Sequence, residues 1–196
     1  MPGFPLFMKR TLLLVAVLLL SLFATGGSVA AAESLQFERF PQPSQATEFN
    51  DDYGYARRGH RHKGNDIFGD KGDPVVAVLG GIVKRVSSGP TAGNFVIIEH
   101  GDGWETWYLH LNNDKPGTDN GRLGPEQAIG SRIEEGSYVP AGAVVGFVGD
   151  SGNAEGTEPH THFELRNDGK SVNPFPYLNG AWTLEQQARE RLGAIL

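Results

Sequence analysis

The chain has 196 residues, 27 of them glycine and none cysteine, with a formal net charge of −6. Without thiols there can be neither disulfides nor thiolate metal sites, so any metal must sit on histidine and carboxylate side chains. The acidic balance gives no electrostatic footprint for nucleic acid or an anionic membrane, and the length suits one domain with its own core.

Lys9-Arg10 precedes a short apolar run, Thr11 to Leu20, and then small residues from Gly26 to Ala32. A basic start, an apolar centre and a small-residue end read as a secretory signal peptide over residues 1–32. The run is short for a membrane span and no later stretch is long or apolar enough to be one, so no stable membrane insertion is expected after cleavage. An uncleaved anchor is the alternative. Cleavage takes away Lys9 and Arg10 and no acidic residue, so the formal charge moves from −6 to −8. Residues 33–46, which include Pro41 and Pro43, read as a linker, and 47–196 as the domain.

Within the domain, short apolar or alternating runs recur between turn signals. Pro74 to Leu79 is followed by Gly80-Gly81 and Ile82 to Val86. Phe95 to Glu99, the turn His100-Gly101-Asp102-Gly103 and Trp104 to His110 read as a hairpin. Ala143 to Val148 and His160 to Arg166 follow as strands. The spacings leave no room for crossover helices, so the fold class is mainly β with antiparallel pairing. Residues 112–136 are dense in turn formers and read as a long loop bordering a functional cleft. Asp114, Asp119 and Asn120 there fit no EF-hand spacing and read as solvated loop residues rather than calcium ligands. One short C-terminal helix is expected over Trp182 to Leu192, capped by Thr183 with Gln186 and packed through Leu184, Ala188 and Leu192.

The chemistry concentrates in His62-Lys63-Gly64-Asn65-Asp66 and His160-Thr161-His162. On a strand, His-x-His puts both imidazoles on one face about 7 Å apart. His62 and Asp66 would stand about 13 Å apart on an extended strand, so a bend is required, and Gly64 permits one. Two imidazoles and one carboxylate make a three-ligand zinc set with a fourth position open, as in catalytic rather than structural sites. His62, Asp66 and His162 are the proposed ligands. His160, His162, Glu164 and Arg166 share one strand face, while Thr161, Phe163 and Leu165 suit the core. Alternation from Trp104 places Tyr108 and His110 together, facing the same cleft. His60 lacks an Asp four residues on, and His100 sits in a Gly-flanked turn; both read as structural or solvated.

His62 to Ile67, Tyr108-Leu109-His110-Leu111 and Pro159 to Glu164 resemble the three motifs of the lysostaphin-like (LytM-type) zinc metallopeptidases, which cleave peptide bonds in bacterial peptidoglycan. The resemblance covers roughly residues 47–178. It implies a β-sandwich of the duplicated-hybrid-motif or barrel-sandwich type, Zn2+ on His62, Asp66 and His162, and catalytic roles for His110 and His160. Tyr108 reads either as a phenolic donor to ligands or substrate or as a packing aromatic, and Glu164 with Arg166 either as orienting the ligands or as solvated strand-end residues. The implied protein is an exported monomeric endopeptidase, periplasmic or in the cell wall, acting on a peptidoglycan peptide. Departures from the family pattern are Thr161 where Leu is usual, Asn65 where an aliphatic residue is common, with little consequence expected for ligation, and the long loop 112–136. Two rival readings are a non-catalytic cell-wall-binding or hydrolase-activating module on the same fold, and a lipoyl- or phosphocarrier-like sandwich. The five retained site residues oppose the first. The lack of a modifiable lysine in an exposed hairpin opposes the second.

Overall fold

One antiparallel sheet carries most of the strands, and its registers bring the distant motifs side by side. The computed structural model describes residues 35–44 and 47–194, so the expected signal peptide lies outside the described residues. The strands are β1 (Glu48–Phe49), β2 (Ala56–Arg57), β3 (His60–Arg61), β4 (Asn65–Phe68), β5 (Pro74–Val76), β6 (Gly81–Gly89), β7 (Gly93–Glu99), β8 (Trp104–Leu111), β9 (Tyr138–Val139), β10 (Val144–Phe147), β11 (His160–Asn167) and β12 (Lys170–Val172). Among the described residues the helices are α1 (Pro125–Ala128) and α2 (Phe175–Gly193), with one 3-10 turn at Gly152–Ala154. The main sheet runs β1-β4-β11-β8-β7-β6-β9 with β12 beside β11; β10 pairs with β5, and β2 with β3. Every pairing is antiparallel, as the short connections require.

The core lies on the face of the main sheet carrying Thr161, Phe163 and Leu165 of β11, Tyr108 of β8, and Val96 and Ile98 of β7, all fully buried. β5 and β10 contribute Val75 and Val145 to it. Gly146 of β10 lies so close to the Leu111 side chain that a Cβ there would collide with it.

Residues 36–44, read from sequence as part of a linker, are instead built into the core. Phe37 stacks edge-on against Phe163 with ring centroids 5.7 Å apart, and Phe40 packs on Phe49 and Trp182, each at 4.9 Å. The backbone amide of Phe40 donates to Glu185 Oε1 of α2 at 2.9 Å. Two prolines mark this stretch as non-helical, but the paired aromatics need burial, and α2 supplies the cover.

The helix differs from its expectation at both ends of the argument. It starts at Phe175, where Pro176 fits the first turn and Asn173 Oδ1 accepts the Phe175 amide at 2.9 Å. Thr183 is therefore mid-helix and donates back to the Asn179 carbonyl, so no capping box forms there. Leu178 and Ala181 are the buried residues, whereas Leu184 and Leu192 are 55% and 63% exposed. Among the described residues no helix is long and apolar enough to cross a membrane.

Candidate metal centre and cleft

The pairing of β4 with β11 sets His162 directly opposite Asp66, which explains how residues about a hundred apart in sequence share one site. The chain bends at Gly64 between His62 and β4. A side chain at Gly64 would run into the Phe163 carbonyl, so glycine is required there for close approach as well as for the bend. His62 Nε2, Asp66 Oδ1 and His162 Nδ1 then converge, with separations of 3.1, 2.9 and 2.9 Å. All three residues are buried.

The other ring nitrogens fix what those converging atoms are. His62 Nδ1 lies 3.1 Å from both the carbonyl and a carboxylate oxygen of Asp52, nearer than Arg57 Nη2 at 3.3 Å, so in the neutral ring it donates and Nε2 keeps its lone pair. His162 Nε2 donates to Glu164 Oε1 at 3.2 Å, leaving the Nδ1 lone pair inward. Two lone pairs and a carboxylate oxygen facing one another within about 3 Å repel unless a cation lies between them. Zinc bonded at about 2.0–2.1 Å would space tetrahedral ligands by roughly 3.3 Å, close to the spacing found here. The donor set therefore fits zinc. Without a cation the same field holds a proton in its place: although burial pulls the His62 imidazole down, Asp52 and Asp66 hold it at about 9, so binding zinc means displacing that proton. Burial opposes ionisation of Asp66, yet His162 and His62 hold its carboxyl far below the usual carboxylate range.

Of the ring of residues outside these three, Asp52 and Arg57 were not legible from the motifs. Arg57 Nη2 donates to Asp66 Oδ2 at 2.7 Å and to Asp52 Oδ2 at 3.1 Å, tying the two carboxylates together. Asn65, expected to matter little, is fully buried and donates to Asp52 Oδ1 at 2.8 Å, so it steadies the group that orients His62. Glu164, expected as an orienting residue, does reach His162, and Arg166 grips its second oxygen from Nε at 2.7 Å. The Arg166 guanidinium in turn lies 3.7 Å from the centre of the Trp107 ring.

His110 and His160 share the cleft, with ring centroids 5.3 Å apart. Strict alternation does not bring His110 there. Tyr108 faces Phe163 across the core, and its hydroxyl accepts from the Val78 amide at 2.9 Å; burial pushes its pKa up to about 12. The expectation of a site role for Tyr108 is thus corrected: it is a packing residue. Between Tyr108 and Leu111 the β7 register slips, with one extra residue on β8, and His110 takes φ 59°. The bulge turns its side chain onto the face that Tyr108 avoids. His110 Nδ1 donates to the Ser151 carbonyl at 2.8 Å, and His160 Nδ1 to that of Glu158 at 2.7 Å, so in each neutral ring Nε2 is the acceptor. Burial, together with the neighbouring His162 and His160 imidazoles, pushes His110 down to about 4, so it is neutral near pH 7. His100 is structural, bonded to Gly80 and Thr106, and His60 is exposed.

The cleft has a volume of about 580 Å³, and no residue of 112–136 lines it, contrary to expectation. Lys71 holds that loop away, with its ammonium 2.8 Å from Asp114, 2.9 Å from Asp119 and 2.7 Å from Asp150. Asp114, expected to be solvated, is 1% exposed and also accepts the Asn120 and Gly121 amides. Removing Lys71 leaves two buried carboxylates unpaired. Lys71→Ala is expected to cost about 3 kcal/mol, read as a fall in the urea midpoint; an unchanged midpoint would contradict the clamp.

Comparison with known proteins bears on the same residues. The sequence matches the family model of Peptidase family M23 over residues 60–174. It is 30% identical over 148 residues to the peptidoglycan DD-endopeptidase ShyA of Vibrio cholerae, spanning 72% of this chain and 30% of that protein. Against the DD-carboxypeptidase/endopeptidase Mpg of Neisseria meningitidis it is 35% identical over 113 residues, 58% of this chain and 22% of the relative. The chain thus spans less than a third of the length of either. The catalytic domain of the antimicrobial peptidase lysostaphin from Staphylococcus simulans superposes with a TM-score of 0.53 at 25% identity, over 68% of this chain and 92% of that one. A zinc-containing peptidase from Vibrio cholerae superposes at 0.52 with 28% identity, over 70% of this chain and 39% of the other. With the family's match covering more than half of its length, and with a zinc-compatible donor set at the heart of the matched region, this chain belongs to peptidase family M23, whose members are zinc-dependent.

Proposed function

We propose that the protein is an exported zinc endopeptidase hydrolysing peptide bonds in peptidoglycan. The observation that carries this reading is the convergence of His62 Nε2, Asp66 Oδ1 and His162 Nδ1 beside two further histidines in one open cleft. His62, Asp66 and His162 would hold the metal. Zinc bound there supplies a water of lowered pKa and a Lewis acid for the scissile carbonyl. Amide hydrolysis also needs a group to take the proton of the attacking water and one to return a proton to the leaving amine. His110 is suited to the first role, because its Nδ1 is anchored on the Ser151 carbonyl and its ring lines the cleft with Nε2 left to accept. His160, whose Nδ1 is anchored on the Glu158 carbonyl, can carry and return a proton at Nε2. Asp52, Arg57, Glu164 and Arg166 keep the donor atoms in tautomer and orientation before substrate arrives. A non-catalytic wall-binding module would have no use for this arrangement.

The basic and apolar segment 1–32 supports export, and relatives named as peptidoglycan endopeptidases support the substrate. Digestion of purified cross-linked peptidoglycan by the zinc-loaded protein is expected to release peptide fragments, and a chelator to abolish their release. Undiminished release after the metal is removed would sink the proposal.

A further inference from the structure

Ser151 lies outside the lining of the cleft and is 2% exposed, yet its carbonyl accepts His110 Nδ1 at 2.8 Å. Its hydroxyl is engaged twice. Oγ accepts the Asn94 amide of β7 at 2.9 Å and donates to the Leu111 carbonyl of β8 at 2.6 Å. Asn94 and Leu111 face each other across the two strands, at the pair beyond the bulge that turns His110. The approach is so close that a Cβ at Gly93 would collide with Ser151 Oγ. The same loop, residues 149–159, also serves the second histidine. Its Glu158 carbonyl accepts His160 Nδ1 at 2.7 Å, and its Gly149 carbonyl accepts the His160 amide at 2.8 Å. One loop thus supplies the acceptor for each Nδ1, and the Ser151 hydroxyl fastens it to β7 and β8 where His110 leaves the regular ladder.

A neutral imidazole carries its proton on either nitrogen, and the hydrogen bond made by one decides the state of the other. With Nδ1 donating, Nε2 keeps a lone pair; with the acceptor displaced, the proton is free to move to Nε2, which then cannot accept. We propose that Ser151 is the positioning residue of His110: its hydroxyl, bonded to both strands beside the bulge, fixes the carbonyl that keeps the His110 proton on Nδ1. This rests on His110 being the proton acceptor of a peptidase site, and it adds the group that sets the tautomer of that acceptor. The Ser151 carbonyl survives Ser151→Ala; what is lost is its placement. Misplacing a reacting group by about 1 Å costs on the order of 10²-fold in rate. The loss should fall on kcat, because Ser151 lines no part of the cleft.

The test uses the zinc-loaded protein with isotopically labelled histidine, whose bare and protonated ring nitrogens differ in NMR shift, and a soluble cross-linked peptidoglycan peptide as substrate. At a pH where the ring is neutral, wild-type His110 is expected to hold its proton on Nδ1. Ser151→Ala should share that proton between the two nitrogens and keep its zinc. Its kcat should fall by about 10–100-fold, with KM within about twofold of the wild type. Ser151→Thr, which retains the hydroxyl, should restore both tautomer and kcat. Where Ser151→Ala does not fold, Ser151→Cys, with both hydrogen bonds weakened, carries the same readouts. Thr106→Val is the control: it removes another buried hydroxyl with two partners, His100 Nε2 and the Tyr108 hydroxyl, and should leave tautomer and kcat unchanged. A wild-type proton on Nε2, a tautomer unmoved by the loss of the Ser151 hydroxyl, or an equal fall of kcat in Thr106→Val would overturn the proposal. Cleavage is scored apart from the tautomer: a wild type that cleaves nothing, while Ser151→Ala still shifts the His110 proton, would refute the peptidase reading and leave the positioning role standing.

Discussion

Asp66→Ala is expected to lose both zinc and cleavage while keeping its fold. Asp66 supplies the only carboxylate oxygen in the donor set, and it is pinned twice, by its pairing opposite His162 and by Arg57 on its second oxygen. Loss of an outer partner of a metal ligand costs roughly 10–100-fold in affinity, and loss of the ligand itself should exceed that. His62→Ala should behave alike, because its Nε2 lone pair is the atom fixed by Asp52. Zinc content after dialysis reads the first effect and fragment release the second. The circular dichroism of both variants should match the wild type, since the core lies on the opposite face of β11. Retention of stoichiometric zinc by Asp66→Ala would mean that the ion sits elsewhere.

His110→Ala separates chemistry from metal binding. Its ring is not among the three converging donors, so zinc should be retained at full stoichiometry. Cleavage should fall by about 10²–10⁴-fold, the usual worth of a positioned proton acceptor. The bulge that aims His110 is held by its own amide on the Ala92 carbonyl at 2.9 Å, so the backbone should survive the substitution. Full hydrolysis by a zinc-bearing His110→Ala protein would remove His110 from the mechanism.

What the sequence made legible, and what it hid, follows from the range of each signal. Period-two alternation in His160 to Arg166 placed Thr161, Phe163 and Leu165 in the core correctly, because β11 is central and regular. The same rule misplaced Tyr108, because a single inserted residue in β8 reverses the faces, and nothing in Tyr108-Leu109-His110 announces a left-handed backbone at a histidine. The candidate donors were visible as motifs, because spacing and Gly64 join His62 to Asp66 and His160-Thr161-His162 marks its own strand, but only the β4–β11 pairing brings the two together. Asp52 and Arg57 belong to no motif, and their roles arise only when the chain before His62 folds back, with the Gly54 amide donating to the His62 carbonyl. Phe37 and Phe40 lay among prolines and looked like linker; α2, itself extended by a Pro-compatible first turn, joins Phe163 and Phe49 in giving them something to pack against.

The most direct measurement is an anomalous-scattering map recorded at the zinc edge from crystals of the zinc-loaded protein. A single peak is expected about 2.0–2.2 Å from each of His62 Nε2, Asp66 Oδ1 and His162 Nδ1. A peak among Asp114, Asp119 and Asp150 instead, or no peak between the two imidazoles, would contradict the assignment of this cleft as a zinc centre.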